Sequence, residues 1–277
     1  MQLIVFIHGI GNFNPTDNSK VEMLHALQTE ADKIYGPEGS QVVYISYQSL
    51  LQAYPVTKLV EFTASIASMM LFGVPQIGYV LMDYLTDITQ YFLYYSVRRD
   101  VSNSVVSQLA SYLSKNKGQI DGITLLGHSL GSLVVLRLTA LLMAHGSHTK
   151  LGSELLHSSS QLQADVTNIA KLPISVAILG SPAFSSIKTI GLATRKMALA
   201  ESPLDQVLKD HFLSTKTQII NLWSKKDPLS GPASNDYCHN ILDDTGHSNI
   251  ETPFQNLMAY MKTLREVANA TTVEKTE

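Results

Sequence analysis

Residues 123–144 read ITLLGHSLGSLVVLRLTALLMA. A short apolar run with Ile123, Leu125 and Leu126 leads into Gly127-His128-Ser129-Leu130-Gly131, and an apolar segment of helical length follows, ending before Gly146. The pattern predicts a buried strand, a tight turn and a long helix, with Ser129 at the tip of the turn. Backbone angles are strained at such a tip, and side chains two residues to either side collide with it. Glycine at 127 and 131 removes the colliding Cβ atoms. The serine hydroxyl then projects above the sheet, and the helix that begins beside it aims unpaired N–H groups at developing negative charge. A tight turn carrying an inert serine has the same spacing, so the partners of Ser129 decide between the two readings.

Composition sets the frame for those partners. The chain has 277 residues, 45% apolar and 16% charged, which suits a globular protein with a sizeable core. A net charge of −3 and the absence of a basic run point away from nucleic acid. Cys238 is the only cysteine, so no intramolecular disulfide can form and no cysteine-based metal site is suggested. His145, His148 and His157 lack carboxylates or thiols at metal-ligand spacing, and no metal is expected. The N-terminal MQLIVFIHGIG has no basic n-region and no small-residue cleavage site, so it is expected to be the first strand and not a secretory signal. The expected location is cytoplasmic.

From the turn outward, strands and helices alternate. Leu3–Ile7 is of strand length, and the helix pattern over 18–35 places Leu24, Leu27, Ala31 and Ile34 on one face before Gly36-Pro37 stops it. Strands are expected at 41–47, 123–127, 173–179 and 217–223, and helices at 101–117 and from about 252 to 264, the latter capped by Thr252. This order predicts a mostly parallel sheet with helices on both faces, in one domain. Residues 145–170 read as a polar segment, and 183–214 as a polar excursion with short helices.

The stretch 49–100 is expected to be a helical insertion. Its 21 residues FTASIASMMLFGVPQIGYVLM (62–82) carry no charge and as one helix span about 31 Å, the thickness of a bilayer core. Gly73-Val74-Pro75 breaks that helix near its middle, and the strands before and after it belong to one sheet. A helical hairpin that covers the site or dips into a membrane surface satisfies both facts. The 77–95 part also fits a helix packed on the core, whereas the Met-rich 62–75 part suits an adaptable lid.

Two loops after strands supply partners for Ser129. His8-Gly9-Ile10-Gly11 follows the first strand. A dinucleotide fingerprint fails there, because its third glycine falls at Asn14 and a polar loop follows where a helix must start. An oxyanion-hole loop fits instead, with one backbone N–H from Ile10 (or its neighbour Gly9) and the second from Leu130. Asp227, in Ser224-Lys225-Lys226-Asp227-Pro228, follows a late strand, and His247 lies in Asp243-Asp244-Thr245-Gly246-His247 before the last helix. In the resulting triad Ser129 attacks a carbonyl, His247 takes and returns the proton, and Asp227 orients the imidazole. His239 is a rival base. Asp243 and Asp244 are rival acids, although both lie too near 247 in sequence to match a strand-end carboxylate.

With FIHGIGN (6–12), GHSLGS (127–132), LGSP (179–182), LWSKKDPLSG (222–231) and TGHSNI (245–250), the chain resembles the α/β-hydrolase superfamily of serine esterases and lipases. Within it, the chain looks like lipase-type members related to GPI-inositol deacylases. The order Ser129, Asp227, His247 is the order that fold uses. The resemblance implies an α/β-hydrolase fold that begins at what looks like the third strand of larger members. It also implies hydrolysis of carboxylic esters, often of lipids, with no metal or organic cofactor. The expected partner is a small-molecule or lipid ester, with membrane-surface contact through 62–82. A short-acyl esterase or thioesterase is the nearest alternative, and a binding protein whose triad does not align is a third.

Overall fold

The computed structural model describes residues 1–9, 18–47, 50, 91, 95–146, 160–184, 203–215, 218–227, 230–233, 236–246 and 250–273. In chain order the elements are β1 (Gln2–Ile7), α1 (Asn18–Tyr35), β2 (Ser40–Tyr44), α2 (Tyr95–Lys115), β3 (Gly122–His128), α3 (Leu130–Gly146), α4 (Ser160–Ile169), β4 (Ile174–Leu179), α5 (Pro203–Thr215), β5 (Ile219–Ser224), β6 (Cys238–Asp243) and α6 (Glu251–Val273). The described strands form one sheet in the order β2-β1-β3-β4-β5-β6. Every pairing in it is parallel.

Period-two patterning divides each strand between two cores. Leu3, Val5 and Ile7 of β1 join Ile123 and Leu125 of β3 and Val176 and Ile178 of β4 under α2, α3, α4 and α5. Ile4 and Phe6, with Leu126, Ala177 and Leu222, face the other way onto Leu27 and Ala31 of α1 and Phe254 and Leu257 of α6. A sheet covered on both faces needs strands that are apolar on both sides, and β3 is buried along its whole length. Since all strands run the same way, their C-terminal ends share one edge. The loops 8–9, 129, 180–181, 225–233 and 244–246 therefore gather on that edge.

Several expected boundaries shift. β2 ends at Tyr44, three residues short of 47, because its partner β1 ends opposite it with Phe6 paired to Tyr44. Helix α6 already starts at Glu251, with Phe254 N–H donating to Ile250 O at 3.0 Å, so Thr252 sits inside the first turn and does not cap it. The supposed polar segment 145–170 contains α4, which buries Leu162, Val166 and Ile169. β6 was not foreseen. The expected insertion 49–100, including 62–82, lies outside the described residues except for 50, 91 and 95–100. Among the described residues no helix is long and apolar enough to cross a membrane.

Candidate active site

Ser129 ends β3 and begins α3 with φ of +55°, and it is the one non-glycine residue at positive φ among those described. That conformation costs an L-residue about 1–2 kcal/mol, so its surroundings must impose it. They do so from both sides. Ser129 N–H donates to Leu179 O of β4 at 2.9 Å, and its carbonyl accepts from Ser132 N–H at 3.0 Å and from Ser132 Oγ at 2.5 Å. Ser132 Oγ also shares a 2.7 Å hydrogen bond with Ser181 Oγ, just beyond β4, and both side chains are fully buried. The sequence marks Ser132 only as a small residue. Its hydroxyl ties the turn to the neighbouring strand end.

The glycines around the turn are required by contact. A Cβ on Gly127 would lie 2.6 Å from Ser132 Cα, and one on Gly131 would lie 2.0 Å from Ile7 O. The end of β1 therefore rests directly on the first turn of α3, and its continuation passes over the serine. A Cβ on Gly9 would lie 2.7 Å from Ser129 Cβ and 2.9 Å from both Ser129 Oγ and Leu130 N. This brings the His8-Gly9 backbone against the serine hydroxyl and against the N–H of Leu130, one of the N–H groups of α3 that no helical carbonyl takes. Ile10, the residue expected to supply the other oxyanion donor, lies outside the described residues.

A parallel sheet of this strand order, with a left-handed serine between a central strand and its helix, decides the architecture. The chain has the α/β-hydrolase fold. In that fold the acid of a triad follows a strand beyond the nucleophile, and Asp227 stands three residues past β5, itself two strands from β3. The Asp227 loop is tightly turned. Asp227 N–H donates to Ser224 O at 3.3 Å, and Ser230 N–H donates to Asp227 O at 3.1 Å. Ser230 Oγ fills the turn, accepting from Ser224 N–H at 3.2 Å. Further along, Asn240 of β6 clamps Ala233 through both backbone groups, which fixes the loop's exit. Asp227 is only 3% exposed.

A cleft enclosing about 250 Å³ runs along the strand ends from His128, beside the nucleophile turn, past Gly180 to Asp227, Asp243 and Gly246. His128 also packs on His8, with ring centroids 5.1 Å apart, so imidazoles flank Ser129 on its strand and on the loop above it. His247 lies outside the described residues; Thr245 and Gly246, which lead to it, line the cleft.

The rivals fall in different places. His239 is the second residue of β6, toward the N-terminal end of the strand, and stacks on Tyr260 of α6 with centroids 4.5 Å apart. It is four residues, about 13 Å of strand, from the edge that carries Ser129. Asp244 is exposed and pairs with Lys226 Nζ at 3.1 Å. Asp243 corrects the sequence argument: nearness to 247 does not keep it from a strand end, because it is the last residue of β6, opposite Ser224, and is buried. Among the described residues no cluster of His, Cys, Asp or Glu could hold a metal ion.

No family model matches the chain, and no curated protein does. Similar solved structures include MGS-MChE2, an α/β-hydrolase enzyme from the metagenome of lagoon sediments at Mar Chica, Morocco, 14% identical over 96% of this chain and 92% of that one, at a TM-score of 0.41. Est1E from Butyrivibrio proteoclasticus is 9% identical over 96% and 88%, at 0.41. A structure from the work on the metagenome-derived lipolytic enzymes LipS and LipT is 9% identical over 95% and 94%, at 0.43. Likeness at this level describes a general chain path, and the site's chemistry rests on its own residues.

Proposed function

We propose that this protein is a serine hydrolase of carboxylic esters. Ser129 is the nucleophile, His247 the general base and then acid, and Asp227 the carboxylate that fixes the imidazole. The observation that carries the reading is the strained Ser129 backbone, φ +55°, with the Gly9 backbone packed against its hydroxyl and the N–H of Leu130. Strain of this kind persists only where the surroundings over-determine it, and here it raises a hydroxyl to the edge where the other chemical groups collect.

The sequence of events follows from those positions. His247 takes the Ser129 proton as Oγ attacks the ester carbonyl, and the carbonyl oxygen becomes an oxyanion facing the N–H groups of Leu130 and of Ile10 or Gly9. Collapse of the tetrahedral intermediate breaks the C–O bond to the alcohol, which leaves with the proton from His247. Water then repeats the cycle on the acyl-enzyme and regenerates Ser129. The reaction uses no metal and no organic cofactor.

The preferred substrates in this proposal are lipid-like acyl esters, supported by the uncharged stretch 62–82, whose length and methionines suit contact with acyl chains or a membrane surface. Kinship with GPI-inositol deacylases and a cytoplasmic location belong to the same proposal. A series of p-nitrophenyl esters of rising acyl length, offered to the wild type and to Ser129→Ala, tests it. The expected result is a rate that rises with chain length and falls by about 10³-fold or more in the variant. A preference for short chains would favour the simple esterase or thioesterase, and equal rates for both proteins would remove the enzyme reading.

A further inference from the structure

We propose that Asp243 is a second carboxylate on the acid side of the site, a positioning residue that shares with Asp227 the task of holding the catalytic imidazole. The inference rests on the triad reading above and extends it.

Asp243 closes β6 in register with Ser224, the last residue of β5, and Asp227 stands three residues beyond Ser224. Neighbouring strands lie about 4.8 Å apart, so the two carboxylates rise from adjacent strand ends on one edge. Both are buried, at 3% exposure for Asp227 and 5% for Asp243, and both line the same cleft. Asp243 Oδ2 is fully covered and has no hydrogen-bond partner among the described residues. A desolvated carboxylate oxygen without a donor is costly, and a purely structural aspartate at a strand end relieves that cost by accepting a backbone N–H. Asn240 on the same strand does so with its side-chain oxygen, which takes Ala233 N–H at 2.8 Å. The nearest lysine is engaged elsewhere: Lys226 Nζ is held by Asp244 Oδ2 and by Asp244 O at 2.9 Å.

The charged and titratable groups that face Asp243 across the cleft are Asp227 from the β5 loop and His128 from β3; α6 contributes Pro253, which carries no charge. The chain leaves Asp243 through Asp244 and then through Thr245 and Gly246, both on the cleft wall, and the next residue is His247. The segment that delivers the imidazole thus sets out from a wall that carries both carboxylates. A ring held there has a single Nδ1–H to give. Asp227 takes it in the wild type, while the charge of Asp243 adds to the stabilisation of the imidazolium and accepts the same N–H when Asp227 is neutralised.

The test is a pair of isosteric substitutions, Asp227→Asn and Asp243→Asn, singly and together, with Asp243→Ser as a second uncharged variant and Ser129→Ala as control. Thermal melting of each confirms folding before kcat, KM and the pH profile are read. The proposal expects Asp243→Asn to lower kcat by about threefold to tenfold at unchanged KM and to move the acid limb of kcat/KM to lower pH, since the imidazolium loses a stabilising charge. It expects Asp227→Asn to keep activity that the double variant loses by at least about another tenfold. A pH profile unchanged in both Asp243 variants, with Asp227→Asn as inactive as the double, would overturn it. Should Ser129→Ala match the wild type, the triad reading itself has failed and this inference goes with it, whatever the aspartates do.

Discussion

At the scale of single residues, contact distances separate what the turn needs for folding from what it needs for chemistry. Alanine at Gly131 puts a methyl 2.0 Å from Ile7 O, a backbone atom locked in the central sheet, so Gly131→Ala is expected to abolish folded, soluble protein. Recovery of a cooperative melt near the wild-type temperature would contradict this account of the turn. Alanine at Gly9 meets the serine side chain at 2.7–2.9 Å, and the loop can give way at the expense of the oxyanion geometry. Gly9→Ala is therefore expected to lose about 10²-fold in kcat while keeping a melting temperature within a few degrees, measured by initial rates beside a thermal scan. Ser132→Ala removes the 2.5 Å bond to the Ser129 carbonyl and leaves the buried Ser181 hydroxyl with one partner fewer. A loss of about 1–3 kcal/mol on urea denaturation is expected, and a value near zero would show that the hydroxyl pair does not hold the turn. The two turn glycines were legible in the sequence because their role is steric and local. Ser132 was not, since its value comes from Ser181, 49 residues away.

Among the elements, legibility followed apolar density. β1, β3, β4 and β5 read as strands because both their faces are buried, leaving short apolar runs with no competing period. β6, with the sequence CHNILD, is an edge strand whose residues alternate between buried and exposed, and Leu242 is 52% exposed. Its polar residues look like loop until β5 is known to lie beside it. The error about Asp243 followed directly: without β6 there was no strand end for it to occupy. α4 was hidden differently, because Leu162, Val166 and Ile169 keep helical spacing inside a segment rich in Ser, His and Gln. Composition masked the period. On the opposite face of the sheet, Leu27 of α1 is fully buried against the core it shares with α6, and Leu27→Ala is expected to cost about 2–5 kcal/mol in urea denaturation. A cost below about 1 kcal/mol would mean that α1 is not a packed layer of the fold.

Over the whole molecule, one parallel sheet clothed on both faces leaves a single edge where loops from β1, β3, β4, β5 and β6 can converge. The oxyanion loop, the serine and both candidate carboxylates come from that edge, so fold and site are one consequence of strand direction. The stretch 62–82 adds the expectation of an acyl-binding cover. Replacing Met69, Met70, Leu71 and Phe72 by serine is expected to slow long-chain esters at least about tenfold and to leave short-chain esters unchanged, as substrate-covering lids act on access and not on the chemical step. Equal behaviour on both chain lengths would discard the cover. The central claim concerns Ser129, and covalent labelling reaches it most directly. The protein is treated with a fluorophosphonate, which phosphonylates an activated serine, and the adduct is mapped by peptide mass spectrometry. The account predicts one modified residue, Ser129, labelled in the native protein, lost on denaturation before treatment, and absent in Ser129→Ala. Labelling at another serine, or none in folded wild-type protein, would contradict it.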